Sequence, residues 1–210
     1  THLLHAALRE ILGSSVVQKG SFVDAHRLRF DFSWRTKLDA SQLRDIELRV
    51  NEMIRANYPC QVEQLSKEQA IERGAMALFE QSYDQWVRVV SFGDASIELC
   101  GGTHVQRTGN IGLFSLVQEQ GVSSGVRRIE AVTGSVAVER YQQVSDSIQK
   151  AATICQVVSD HLPSAIEQLQ QTIKSQDSQI QSLLQQQRAN RLAGILASRQ
   201  TIAEVDYYMA

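Results

Sequence analysis

Glycine all but stops at position 134. Eleven of the twelve glycines lie at or before Gly134, and only Gly194 follows it. From Gln142 to Gln187 there are thirteen glutamines, no glycine and one proline, Pro163. Long unbranched side chains without chain-bending residues make a composition for helices, whereas the glycine-punctuated part can turn often enough to build sheet. The 210 residues suit one domain of moderate size or two small ones. The expectation is a mixed domain over residues 1–140 and a helical extension over 141–210.

Periodicity fills in the first part. His2–Leu12 reads as a helix with Leu4, Leu8 and Ile11 along one side and Gly13 as its stop. Val16–Val23 is strand-like, and Arg27–Phe32 alternates, with Leu28, Phe30 and Phe32 facing one way. Asp39–Arg55 spaces Leu43, Ile46, Val50 and Met53 as an amphipathic helix, closed off by Pro59. Ser66 with Gln69 has the pattern of a capping box for a short helix ended by Gly74. Strands are predicted at Gln61–Leu65, Val87–Phe92, Ser96–Cys100, Ile111–Gln118 and Val126–Val132. Helices and strands are grouped and not strictly alternated, which indicates α+β with a mostly antiparallel sheet.

In the second part Ile166, Leu169, Ile173, Ile180 and Leu183 fall on a and d positions of a heptad, interrupted by Gln176 and Gln187. A helical hairpin or short coiled coil is expected, with Pro163 in the first turn of the second helix. It could pack on itself, or serve as a dimerising or RNA-approaching arm. Ile202–Ala210 shows no clear period.

A formal charge of −2 gives no global argument for nucleic-acid binding, though a local basic patch is compatible with it. No apolar run approaches the roughly 18–20 residues that span a bilayer, and no basic-then-apolar leader is visible. Cys60, Cys100 and Cys155 are too scattered for a disulfide framework, so a reducing, cytosolic setting is expected. The chain opens at Thr1 inside a helical pattern and is expected to be a piece of something longer.

Chemistry concentrates in Glu98-Leu99-Cys100-Gly101-Gly102-Thr103-His104. Ser96, Glu98 and Cys100 share one strand face, and two glycines then let the chain turn so that Cys100 and His104 converge. A thiolate and an imidazole make half a zinc site. His2 is the obvious further donor, and His5, three residues on, is an available substitute; both could equally be ordinary helix residues. Gln18 offers a donor and an acceptor suited to reading a hydroxyl or amino group, or else sits at a solvent-facing strand edge. Arg127 and Arg128 point to opposite faces of a strand, so one could hold a phosphate, or instead pair with Glu130 or Glu119. Cys60 and Cys155 read as small hydrophobes, and His26 and His161 receive no role.

Five segments occur in order: Thr1-His2-Leu3-Leu4-His5-Ala6-Ala7-Leu8-Arg9, Gln18-Lys19-Gly20-Ser21, Arg29-Phe30-Asp31-Phe32-Ser33, Cys100-Gly101-Gly102-Thr103-His104 and Gly125-Val126-Arg127-Arg128-Ile129-Glu130-Ala131. Together they resemble the editing domain of the alanyl-tRNA synthetases, followed by the start of the helical part of the C-terminal region. The likeness covers residues 1–140 closely and the remainder loosely. The editing domain of threonyl-tRNA synthetases shares the fold, but the Val126–Ala131 motif has the alanyl form.

The resemblance implies a zinc site of a His-x-x-x-His pair with the Cys-x-x-x-His pair. Here these map onto His2, Cys100 and His104, with the first histidine upstream of Thr1 and His5 at a non-ligand position. It implies hydrolysis of the ester that joins serine or glycine to the acceptor end of tRNA(Ala). The catalytic candidates are Gln18 and Cys100, the latter as a ligand and not a nucleophile. The substrate-binding candidates are Gln18, Gly20, Glu98 and Thr103. Zinc is the expected cofactor, tRNA(Ala) the partner, and a homo-oligomer through the helical extension is compatible with the heptads. No membrane partner is expected. A free-standing deacylase and a non-catalytic tRNA-binding or oligomerisation module are the alternatives. Ser15 and Trp34 stand where the family commonly carries histidine, and Glu80-Gln81 replaces a usual Gly-Glu.

The chemistry explains the need. A pocket sized for alanine loses only about 1–3 kcal/mol when glycine replaces it, and excludes serine poorly by size. A second pocket with polar groups set for the serine hydroxyl can remove what the first admits. No ATP-binding or aminoacylation motif is present, so this piece alone is not expected to charge tRNA.

Overall fold

A computed structural model describes the backbone of residues 1–76, 85–202 and 205–208 and the side chains of residues 1–76 and 85–198. Glu80 and Gln81 lie outside the described residues. The chain divides into two units, Thr1–Gln143 and Val144–Ala210. The first runs α1 (His2–Leu12), β1 (Gln18–Val23), β2 (Leu28–Ser33), α2 (Ala40–Arg55), β3 (Cys60–Ser66), α3 (Lys67–Glu72), β4 (Trp86–Phe92), β5 (Ser96–Leu99), β6 (Phe114–Ser123) and β7 (Val126–Thr133). The division falls inside α4 (Gly134–Ile154).

The fold class is α+β. One antiparallel sheet has the order β1-β2-β7-β6 and a second the order β3-β4-β5. On β2 the alternation predicted from the sequence is realised: Leu28, Phe30 and Phe32 are buried and the residues between them are not. Phe30 lies opposite Ile129 on β7, and both are fully buried. Leu4 and Leu8 of α1, Ile46 and Val50 of α2, and Val90 and Phe92 of β4 complete the same core. Each such side chain contributes about 1.5–3 kcal/mol by leaving water. A smaller cluster of Ala70, Val87, Val89 and Leu99 packs α3 against the second sheet.

The helix starts follow their caps. Asp39 accepts from the backbone amide of Gln42 while the Gln42 side chain returns to the amide of Asp39, and Ser66 with Gln69 repeats the arrangement at α3. Gly13 ends α1 at φ 111, a conformation that a side chain would strain.

β2 begins one residue after its predicted start, and two strands begin further inside their predicted spans. β1 starts at Gln18, not at Val16. β6 starts at Phe114, because Thr108–Ile111 forms a 3-10 turn. The buried Thr108 hydroxyl donates to the Met53 carbonyl at 2.9 Å and accepts from the Tyr58 amide at 2.9 Å, which ties the turn to the end of α2. Gly112 (φ 72) then passes so near Gly134 that a Cβ on it would meet the Gly134 Cα at 3.2 Å. Strand pairing resumes only past that crossing.

In the second unit α5 (Leu162–Ala197) is 36 residues long, with Pro163 in its first turn as the sequence indicated. No residue of α5 is buried, and Ile166, Leu169, Ile173, Ile180 and Leu183 are all exposed. Among the described residues nothing covers the heptad stripe. The stretch from Ile202, without period in the sequence, belongs in part to a β-hairpin of β8 (Arg199–Ile202) and β9 (Val205–Tyr208). Four-residue strands are too short for alternation to register.

Candidate metal centre and its cavity

The first turn of α1 puts His2 and His5 on the buried side of the helix, 7% and 2% exposed. Cys100 follows the end of β5, and the Gly101–Gly102 turn carries the chain on to His104. Arg88 on β4 braces this loop, donating to the carbonyl oxygens of Cys100 at 2.6 Å and Gly102 at 3.0 Å. His104 thereby meets His2 with Nε2 atoms 3.1 Å apart and rings at 89°. The donor atoms of His2, Cys100 and His104 all lie within 4.8 Å of one another. His5 is not in that group: its Nδ1 lies 3.1 Å from Oε1 of Glu98, which occupies it otherwise.

The two imidazole donors are in the state a metal requires. Burial drives the pKa of His2 down to about 4 against the pull of Glu98, and burial together with the Arg88 cation lowers that of His104. Both rings are therefore neutral at pH 7, and two Nε2 atoms at 3.1 Å cannot both carry hydrogen toward each other. At least one lone pair faces the gap. Two neutral imidazoles and a cysteine sulfur are a donor set suited to zinc.

Glu98 is fully buried. Burial pushes its carboxyl up, but the hydrogen bond from His5 and the neighbouring His2 outweigh that and hold it below the usual carboxylate range. The sequence marked Glu98 as a substrate contact; its oxygens are turned toward His2 and His5.

A cavity of about 730 Å³ opens beside the cluster, and Gln18, Glu98, Cys100, Thr103 and His104 all line it. Gln18 is 6% exposed; its amide nitrogen donates to Ser21 Oγ at 3.2 Å, and its Oε1 has no partner. Gly20 does not line the cavity but backs onto Asp31. His26, without a role in the sequence reading, lies along the wall. Nothing in its spacing signals this, because the β1–β2 turn decides it. Ser15 and Trp34 do not line the cavity; Trp34 packs against the core. Arg127 is paired with Glu119, and Arg128 grips both oxygens of Asp31 at 2.6 and 2.8 Å, so neither is held open for a phosphate.

The model of the threonyl and alanyl tRNA synthetase second additional domain matches residues 87–130, the stretch from β4 through β7 that holds Cys100 and His104. An alanine–tRNA ligase of Halorhodospira halophila is 49% identical over 185 residues, 88% of this chain and 21% of its own length. The chain matches a segment of the alanine–tRNA ligases. The enzyme of Nitrosococcus oceani is 48% identical over 183 residues, and that of Idiomarina loihiensis 45% identical over 213 residues. The last covers 98% of this chain and 25% of the ligase. The chain thus spans about a fifth to a quarter of the length of these ligases. Among the described residues no helix is long and apolar enough to cross a membrane.

Proposed function

We propose that the Thr1–Gln143 unit is a zinc-dependent deacylase acting, in the cytoplasm, on the ester between serine or glycine and the acceptor end of tRNA(Ala). The observation that carries this reading is a single cavity lined by Cys100, His104 and a buried glutamine with an unmet acceptor, beside His2. His2, Cys100 and His104 would hold the metal. Zinc, when bound, supplies a positive charge able to orient the amino acid or polarise its ester. Gln18 Oε1 accepts from the serine hydroxyl, which alanine's methyl cannot offer. Leu4, Val50 and Phe92 give the cavity an apolar wall, and hydrolysis consumes one water, whose oxygen joins the ester carbonyl carbon as the tRNA ribose oxygen leaves with a proton. Thr103, beside His104, adds a hydroxyl to the same wall.

The test is hydrolysis of seryl-tRNA(Ala) beside alanyl-tRNA(Ala). Loss of serine with alanine spared is the expected result; no hydrolysis by folded, zinc-loaded protein would overturn it. A second role is favoured by the exposed stripe on α5, which suits association of two copies through the helical extension.

A further inference from the structure

Glu98 and His5 lie outside the three-donor group, yet both are almost wholly buried against it. The carboxylate has one oxygen satisfied and one not. Oε1 accepts from His5 Nδ1 at 3.1 Å and from Ser96 Oγ at 3.3 Å. Oε2 is buried with no hydrogen bond, and so is Nδ1 of His2, which lies 3.5 Å from it. An unmet acceptor and an unmet ring nitrogen, both sealed from water, face each other across slightly more than a hydrogen-bond length. Each satisfies the other only if the proton of the neutral His2 ring sits on Nδ1. The lone pair is then on Nε2, the atom that faces His104.

We propose that His5 and Glu98 form a two-step positioning relay for His2. His5 anchors the carboxylate, and the carboxylate fixes the tautomer and ring plane of His2, presenting Nε2 to a metal shared with Cys100 and His104. Glu98 is on this account a positioning residue and not a substrate contact. The relay also explains a buried histidine at position 5 that ligates nothing. Its register, three residues after His2 on α1, lets both rings reach one side chain from β5. The inference rests on the metal reading above.

The experiment is zinc affinity of the 210-residue chain by competition with a chromogenic chelator, with folding followed by circular dichroism. Glu98→Gln, which keeps shape but supplies only one acceptor oxygen, should weaken zinc binding by about 10–100-fold. His5→Phe, which keeps the ring against Phe30 but removes the donor, should weaken it by a smaller factor. His5→Asn, whose amide nitrogen stands near the place of Nδ1, should restore most of that loss. A merely structural role would not separate Phe from Asn in this order. Unchanged zinc affinity in folded Glu98→Gln, or equal loss in both His5 variants, overturns the relay. Should Glu98→Gln fail to fold, the pair of His5 variants decides alone. Failure of the unaltered chain to bind zinc would overturn the metal reading and the relay with it, whereas normal binding with insensitive variants removes the relay only.

Discussion

α2 and α5 carry apolar residues at nearly the same spacing and meet opposite fates. On α2, Ile46, Val50 and Met53 are at most 2% exposed; on α5, Ile166, Leu169, Ile173, Ile180 and Leu183 are 42–63% exposed. A stripe shows which face of a helix gains by leaving water. It does not show what will cover that face, and for α5 nothing within the described residues does. Burial is a property of the partner as much as of the pattern.

Substitution should expose this contrast directly. Phe30→Ala, at a fully buried site between Phe32 and His5, should cost about 3–5 kcal/mol, read as a lower urea midpoint for the first unit. A loss below 1 kcal/mol would mean the core packs differently. Thr108→Val strips the buried turn of its hydroxyl, leaving the Tyr58 amide unmet, and should cost about 1–3 kcal/mol by the same measurement.

Asp31 supplies a pH test. The hydrogen bonds from Arg128 hold its carboxyl below the usual range, so the folded protein gains stability there above the unfolded carboxylate value. That gain should fade as pH falls from about 4 toward the depressed folded value, and Arg128→Leu should flatten this acid limb of the stability profile. An unaltered limb would show that other carboxylates dominate.

The smallest effect is expected on α5. Ile173→Ala should change the stability of the dilute chain by no more than about 0.5 kcal/mol. If two copies cover the stripe, the same change should lower the apparent mass in sedimentation at high concentration. A large effect in the dilute chain would break the comparison.

The boundary between legible and illegible follows the range of the forces involved. Asp39 with Gln42, and Ser66 with Gln69, announce helix starts because the whole cap lies within four residues. The β2 alternation is equally local. Cys100 and His104 could be paired from sequence because one short turn joins them. His2 is a candidate beside them from its donor type alone, with His5 as a substitute, and the family resemblance chooses between the two, since no local rule spans 102 residues. The hold of Glu98 on His5 was missed for the same reason, being set by the packing of α1 against β5 across 93 residues. Ile111 has apolar neighbours that suit a strand, whereas a threonine hydroxyl tied to α2 makes it part of a turn.

The separation of His2 from His104 has one more consequence. An ion gripped by both would close a loop of about a hundred residues, encompassing α2, the second sheet, and β1 and β2 of the first. By the reckoning used for covalent cross-links, closing such a loop in the unfolded chain restricts it by about 4–5 kcal/mol, on top of the binding energy itself. A metal that reads as a chemical group from inside the cavity would act on the chain as a clasp, so that stripping it with a chelator loosens the whole first unit and not the cavity alone.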